Sequence, residues 1–168
     1  FPSRVYEKTS TDATILIEEL MLLTNKSVAS FLKKENYSLI YRCHNKPEKS
    51  KIDALCLFIK NFNYKIDAYN TKNLFKELNS LLQRVKKDDF ETIQSMVLRS
   101  MPKAKYETTN TGHYGLGFEN YTHFTSPIRR YADLFVHRVL QYCLEKKPFY
   151  YSKQKDICKR TSKMERLA

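Results

Sequence analysis

The chain has 168 residues, 42% of them hydrophobic, and a formal net charge of +12 from 30 Lys and Arg against 18 Asp and Glu. That length and apolar content suit one domain with a real core and exclude a disordered or low-complexity chain. No apolar run approaches the roughly 20 residues that span a bilayer, so no membrane partner is expected, and the positive surplus points instead to a polyanion such as nucleic acid.

Residues 1–10 read as extended, with Pro2 disfavouring helix. Thr11 or Asp12 caps a helix that runs to about Lys34. At ~100° per residue, Ile17, Leu20, Met21, Val28, Phe31 and Leu32 share its apolar face. Glu18 and Asn25 lie on a narrow line at the edge of that face, beside Met21, Leu22 and Ala29. A carboxylate there is either an ordinary boundary residue or one with a partner to serve. Tyr37–His44 is rich in β formers and predicts a strand. Helices follow from Pro47 to about Phe62, from Thr71 to about Val85, and from Asp88 or Asp89 to Met101. The Asp88-Asp89 pair reads as helix-start chemistry rather than a metal site. A lone His44 at a strand end reads as structural.

Residues 104–109 and 113–124 alternate enough to predict two more strands. All three glycines fall between them or in the second, and Gly115 and Gly117 would leave one strand face open to close approach. Ser126 then reads as an N-cap and Pro127 as the first residue of a helix to about Glu145. On that wheel Ile128, Tyr131, Ala132, Phe135, Val139 and Tyr142 form the apolar side. Arg129, Arg130, Asp133 and His137 share the opposite sector, where Asp133 could hold Arg129 or His137. Two Arg side chains in a first turn oppose the helix dipole, which makes sense if an anion sits at the helix mouth. Pro148 ends the helix and Ser152 opens a basic one to the end of the chain. The four cysteines, Cys43, Cys56, Cys143 and Cys158, show neither CxxC nor zinc-ligand spacing, so reduced packing in a cytoplasmic setting is expected. Nothing in the pattern specifies an oligomeric state, and both ends read as cut from something longer.

The stretch GHYGLGFENYTHFTSPIRRYADLFVHR closely resembles the signature of the catalytic domain of the ribonuclease II/ribonuclease R family. ATILIEELMLLTNKSVASFL resembles that family's Ile-Glu-Glu helix, YRCHNKPEKSKIDAL the strand and helix after it, and MVLRSMPKAKY and KRTSKMERLA the segments on either side of the signature. Order and spacing match over nearly the whole chain; Ala132 departs, where many members have Pro. The resemblance implies an α+β fold, a partial RNB-type catalytic domain with mostly helices packed on a few antiparallel strands. Residues 1–168 would be its C-terminal portion, needing the rest of the parent catalytic domain as a partner. It also implies a 3′→5′ exoribonuclease that hydrolyses single-stranded RNA to nucleoside 5′-monophosphates.

By the same resemblance Arg129 would be the catalytic arginine and Glu18 a substrate-binding residue. Tyr121, His123, Thr125, Ser126 and Arg130, in the aromatic and basic stretch that leads into the helix, are expected to bind substrate beside them, because splayed RNA bases stack on rings and phosphates favour a positive helix mouth. Glu18 would contact the terminal sugar, where a carboxylate accepting from the 2′-hydroxyl favours RNA over DNA. The family's Mg²⁺ depends on clustered Asp residues upstream of the Glu-Glu helix. This chain has no such cluster, so no metal ligand is expected within it and the chain alone is expected to be inactive. A non-catalytic RNA-binding protein on a degenerate version of the same domain is the alternative. A missing half would also leave an apolar surface unsealed.

Overall fold

The structure, a computed structural model, describes residues 10–67 and 74–167. The extended reading of residues 1–9 and the Thr71 helix start lie outside them. Six helices and two short strands follow in order: α1 (Asp12–Lys34), β1 (Tyr41–Cys43), α2 (Lys49–Lys60), α3 (Leu74–Arg84), α4 (Lys87–Ser100), β2 (Lys105–Glu107), α5 (Tyr131–Leu144) and α6 (Gln154–Leu167). β1 and β2 pair antiparallel, with Arg42 opposite Tyr106 and Cys43 opposite Lys105. The fold is thus α+β and mostly helical, as expected.

Thr11 caps α1, accepting from the Thr14 N–H while the Thr14 hydroxyl accepts from the Thr11 N–H, which satisfies two otherwise orphaned donors. The helix buries Asn25, Ala29 and Leu32. Ala29 and Leu32 join Leu39, Ile40, Cys43, Tyr106, Phe135, Val136, Val139 and Cys158 in a core shared by α1, α5, α6 and the strand pair. A second core, built from Ile52, Leu55, Ile59, Leu74, Leu78, Leu81, Ile93 and Val97, lies wholly within α2–α4. That three-helix lobe leaves the chain after β1 and returns at β2. His44 ties it to the site side: its Nε2–H donates to the Pro102 carbonyl at 2.8 Å, and its Nδ1 accepts from the Gly115 N–H at 2.9 Å. A structural role for His44 follows.

Several expectations need correction. The outer half of α1 is not covered: Ile17 and Leu20, and Phe31 further along, are exposed, as are Leu16 and Leu23. The wheel grouped apolar residues correctly, but only Ala29 and Leu32, with Val28 packed beside them, meet the core; Met21 is half-buried, and Ile17, Leu20 and Phe31 are left as exposed apolar surface. Residues 113–124 do not form a strand. They make one 3₁₀ turn (Tyr114–Leu116) and then an irregular loop. Gly112 at φ 78° and Gly117 at φ 67° are left-handed, which breaks any extended run. The close approach inferred for the glycines does occur at Gly115, where a Cβ would stand 3.2 Å from the His44 ring.

The next helix does not start at Ser126-Pro127. Residues 127–129 form a turn closed by the Arg130 N–H to the Ser126 carbonyl, and Arg130, still extended at φ −125°, is the N-cap of α5. Within α5, Asp133 lies on the buried face with Ala132, Phe135 and Val136, and Ile128, which precedes the helix, is fully exposed.

Candidate functional site

α1 and the 121–130 loop face each other across a cavity of about 300 Å³. From α1 come Glu18, Met21, Leu22 and Asn25, one face of two turns; from the loop come Tyr121, Thr125, Ser126, Arg129 and Arg130. Six of the seven residues expected at the site therefore line one cavity. His123 does not line it.

The loop is held at Tyr121, Thr122, Phe124, Ser126 and Arg130, which fixes an irregular backbone as a wall. The Tyr121 carbonyl accepts from the Arg42 N–H at 2.9 Å, and the buried Thr122 hydroxyl donates to the Ile40 carbonyl at 2.6 Å. Asn25, only 3% exposed, accepts from the Phe124 N–H at 2.9 Å and donates to the Tyr121 hydroxyl at 3.1 Å. His137 on α5 donates from Nε2 to the Phe124 carbonyl. Asp133, completely buried, accepts from the Ser126 N–H and from Arg130 Nη2, both at 2.8 Å. The helix start is thus served by a carboxylate of its own first turn, which the dipole favours. The expected Asp133 pairing with Arg129 or His137 does not form: Arg129 precedes the helix, and His137 bonds the Phe124 carbonyl instead. Arg130 Nε and Asp133 Oδ2 are buried beside this pair without a partner among the described residues.

His123 acts behind the wall. Its Nδ1 lies 2.8 Å from the Tyr106 hydroxyl, and its ring meets the edges of Tyr106 and Tyr121. Burial, with Arg130, Arg42, His113 and Arg129 adding to it, lowers the His123 pKa to about 3. Burial, followed by the neighbouring His44, lowers that of His113 to about 4. Burial also raises Tyr106 to about 12 against the opposing pull of Arg42. Neither histidine is a base poised near neutral pH. Arg42 stacks over Tyr106 and forms a two-pronged pair with Glu165 at 2.6 and 2.9 Å, which fastens α6 to the strands behind the site.

Glu18 and Arg129 differ from all of these. Both are exposed, neither pairs with any described residue, and they share the cavity without bonding to each other. A carboxylate and a guanidinium held apart in one recess present an acceptor and a fork of donors to a ligand that carries hydroxyls and an anion. Asn25 was visible in the sequence only as a neighbour of Glu18; its pairing with the 121–124 loop carried no local signal.

Residues 2–146 match the RNB domain family. The chain is 37% identical over 142 residues to ribonuclease R of Buchnera aphidicola (subspecies Acyrthosiphon pisum), covering 84% of this chain and 19% of that protein. Mycoplasma genitalium RNase R in complex with ribose-methylated single-stranded RNA superposes with a TM-score of 0.81 at 28% identity, covering 94% of this chain and 26% of that one. Yeast Ssd1, described as a pseudonuclease, superposes with a TM-score of 0.71 at 30% identity, covering 90% and 19%. The chain belongs to the RNB-domain family, that of ribonucleases II and R. Its likeness is to the C-terminal part of that domain, and it spans less than a third of the length of each of these proteins.

Proposed function

We propose that this chain is the C-terminal portion of the catalytic domain of a 3′→5′ exoribonuclease, in which it forms one wall of the site that hydrolyses single-stranded RNA to nucleoside 5′-monophosphates. The observation that carries this reading is the unpaired Glu18 and Arg129 in a single cavity with Tyr121, Thr125 and Ser126. Arg129 would stabilise negative charge growing on the scissile phosphate. Glu18 would accept from the 2′-hydroxyl of the terminal ribose. Arg130 is committed to Asp133 and would act on RNA chiefly as local positive charge, while His123 would support Tyr121 from behind rather than touch the ligand.

Among the described residues no group of three His, Cys, Asp or Glu side chains could hold a metal ion. The described residues therefore do not fit a Mg²⁺ site, and Mg²⁺ enters this proposal only as an ion bound by Asp residues outside the chain. A cytoplasmic location belongs to the same proposal; no described helix is long and apolar enough to cross a membrane.

The test is hydrolysis of single-stranded RNA with Mg²⁺ present. The full-length protein should release mononucleotides and the 168-residue chain should not; release by the chain alone would overturn the placement of the metal outside it. The likeness to a pseudonuclease favours one second reading, a non-catalytic RNA-binding protein on the same scaffold. RNA binding without hydrolysis by the full-length protein would select it.

A further inference from the structure

Two hydrogen bonds on Asn25 decide which way the Tyr121 hydroxyl proton points. A backbone N–H can only donate, and that of Phe124 lies 2.9 Å from the Asn25 side-chain oxygen. This fixes the orientation of the amide and leaves its Nδ2, a donor, 3.1 Å from the Tyr121 oxygen. The Tyr121 hydroxyl therefore accepts, and its own proton must go elsewhere. Among the described residues no acceptor takes it: His113, Phe118 and His123 meet Tyr121 only through ring contacts. Tyr121 is 4% exposed and lines the cavity that holds Arg129.

We infer that Tyr121 is a hydrogen-bond donor into this cavity, directed with Arg129 at a phosphate oxygen of bound RNA, and that Asn25 is the positioning residue that keeps it in that polarity. The inference rests on the reading of the cavity as an RNA site. It explains why an amide rather than a carboxylate suits position 25. An Asp there would still accept from Phe124 N–H, but its second oxygen would draw in the Tyr121 proton and turn the donor away from the cavity. Asn25 also spans the two walls, so it sets the spacing between α1, which carries Glu18, and the loop that leads to Arg129.

The test is a double-mutant cycle in the full-length protein, with binding of a fluorescein-labelled single-stranded oligoadenylate read by anisotropy in a chelator that prevents hydrolysis. Tyr121→Phe should raise Kd about tenfold, the order expected for one hydrogen bond to a charged group. Asn25→Asp should cause a comparable loss, and the double variant should bind no more weakly than the weaker single. A double variant whose loss is the product of the two would overturn the coupling and leave Asn25→Asp as mere charge repulsion. Unchanged binding by Tyr121→Phe would overturn the donor itself. Thermal melts accompany each variant; were Asn25→Asp not to fold, Asn25→Ala in the same cycle reads the same coupling. Failure of the unmutated protein to bind the oligonucleotide would instead sink the RNA-site reading, so the two failures are distinct.

Discussion

His137 lies flat against Phe124, with ring centroids 3.8 Å apart and planes within 6°, and donates from Nε2 to the carbonyl of that same residue. One side chain of α5 therefore grips both the ring and the backbone of the loop that carries Thr125 and Ser126. His137→Ala should remove the stack and the hydrogen bond together and destabilise the fold by about 1–3 kcal/mol. Urea unfolding of the variant checks this, and an unchanged midpoint would mean that the loop holds without α5.

Asp133 offers a sharper stability test. It is wholly buried and paired with Arg130, whose side chain is 21% exposed. Asp133→Ala removes the acceptor for both Ser126 N–H and Arg130 and strands a guanidinium, a change expected to cost about 3–5 kcal/mol. The same variant should weaken RNA binding only in step with its loss of folded protein, which calorimetry and binding measured side by side would separate.

Arg129 should behave in the opposite way, because nothing described depends on it. In the full-length protein Arg129→Ala is expected to leave the melting temperature unchanged and lower kcat by ~10²–10³, the order for losing one donor to a transition-state oxyanion. A change confined to KM would make it a binding residue. Glu18→Ala should narrow the preference for ribose over deoxyribose substrates, measured with matched RNA and DNA oligonucleotides.

The two buried histidines set an acid limit. His113 and His123 have folded pKa values lowered to about 4 and about 3, against about 6.5 for a free histidine. Between about pH 6.5 and those values the unfolded chain binds protons that the folded chain refuses, so stability falls as pH falls through that window. The midpoint of urea unfolding should drop from pH 7 towards pH 4, and the slope should flatten in His123→Phe. A profile level over that range would mean that both rings are solvated in the folded state.

How much of this could be read from residues alone varied with the element. α1 was legible because a capped 3.6-residue period is unambiguous, but the wheel put Asn25 at the edge of the apolar face with Glu18, whereas Asn25 is buried with Ala29 and Leu32 and Glu18 is exposed. The 113–124 segment was not, since aromatics alternating with small residues imitate a strand while the left-handed glycines that abolish it look like strand glycines in sequence. Ser126-Pro127 misled for a related reason: the same pair opens a turn or a helix, and what decided between them was an acid seven residues after Ser126 that bonds the Ser126 N–H. The wheel also set Asp133 on the solvent side, because the buried arc of α5 reaches past Val136 to Asp133 and so extends beyond the apolar side read from the sequence. The roles of Arg129 and Glu18 came from the resemblance, and the structure gathered all the expected site residues but His123 around one cavity.

The separate core of the α2–α4 lobe bears on how the site comes to exist. The loop between Cys43 and Lys105 must close before those two residues can pair, and closing a long flexible loop costs chain entropy. Helices that contact near neighbours in sequence form faster than distant strands meet. A lobe that folds on its own contacts delivers Cys43 and Lys105 to each other as the ends of a compact body, so the strand pair and the cavity wall behind it assemble late and as a unit. Substitutions at Leu55 or Leu81 would then slow the appearance of RNA binding during refolding, although neither residue is part of the site.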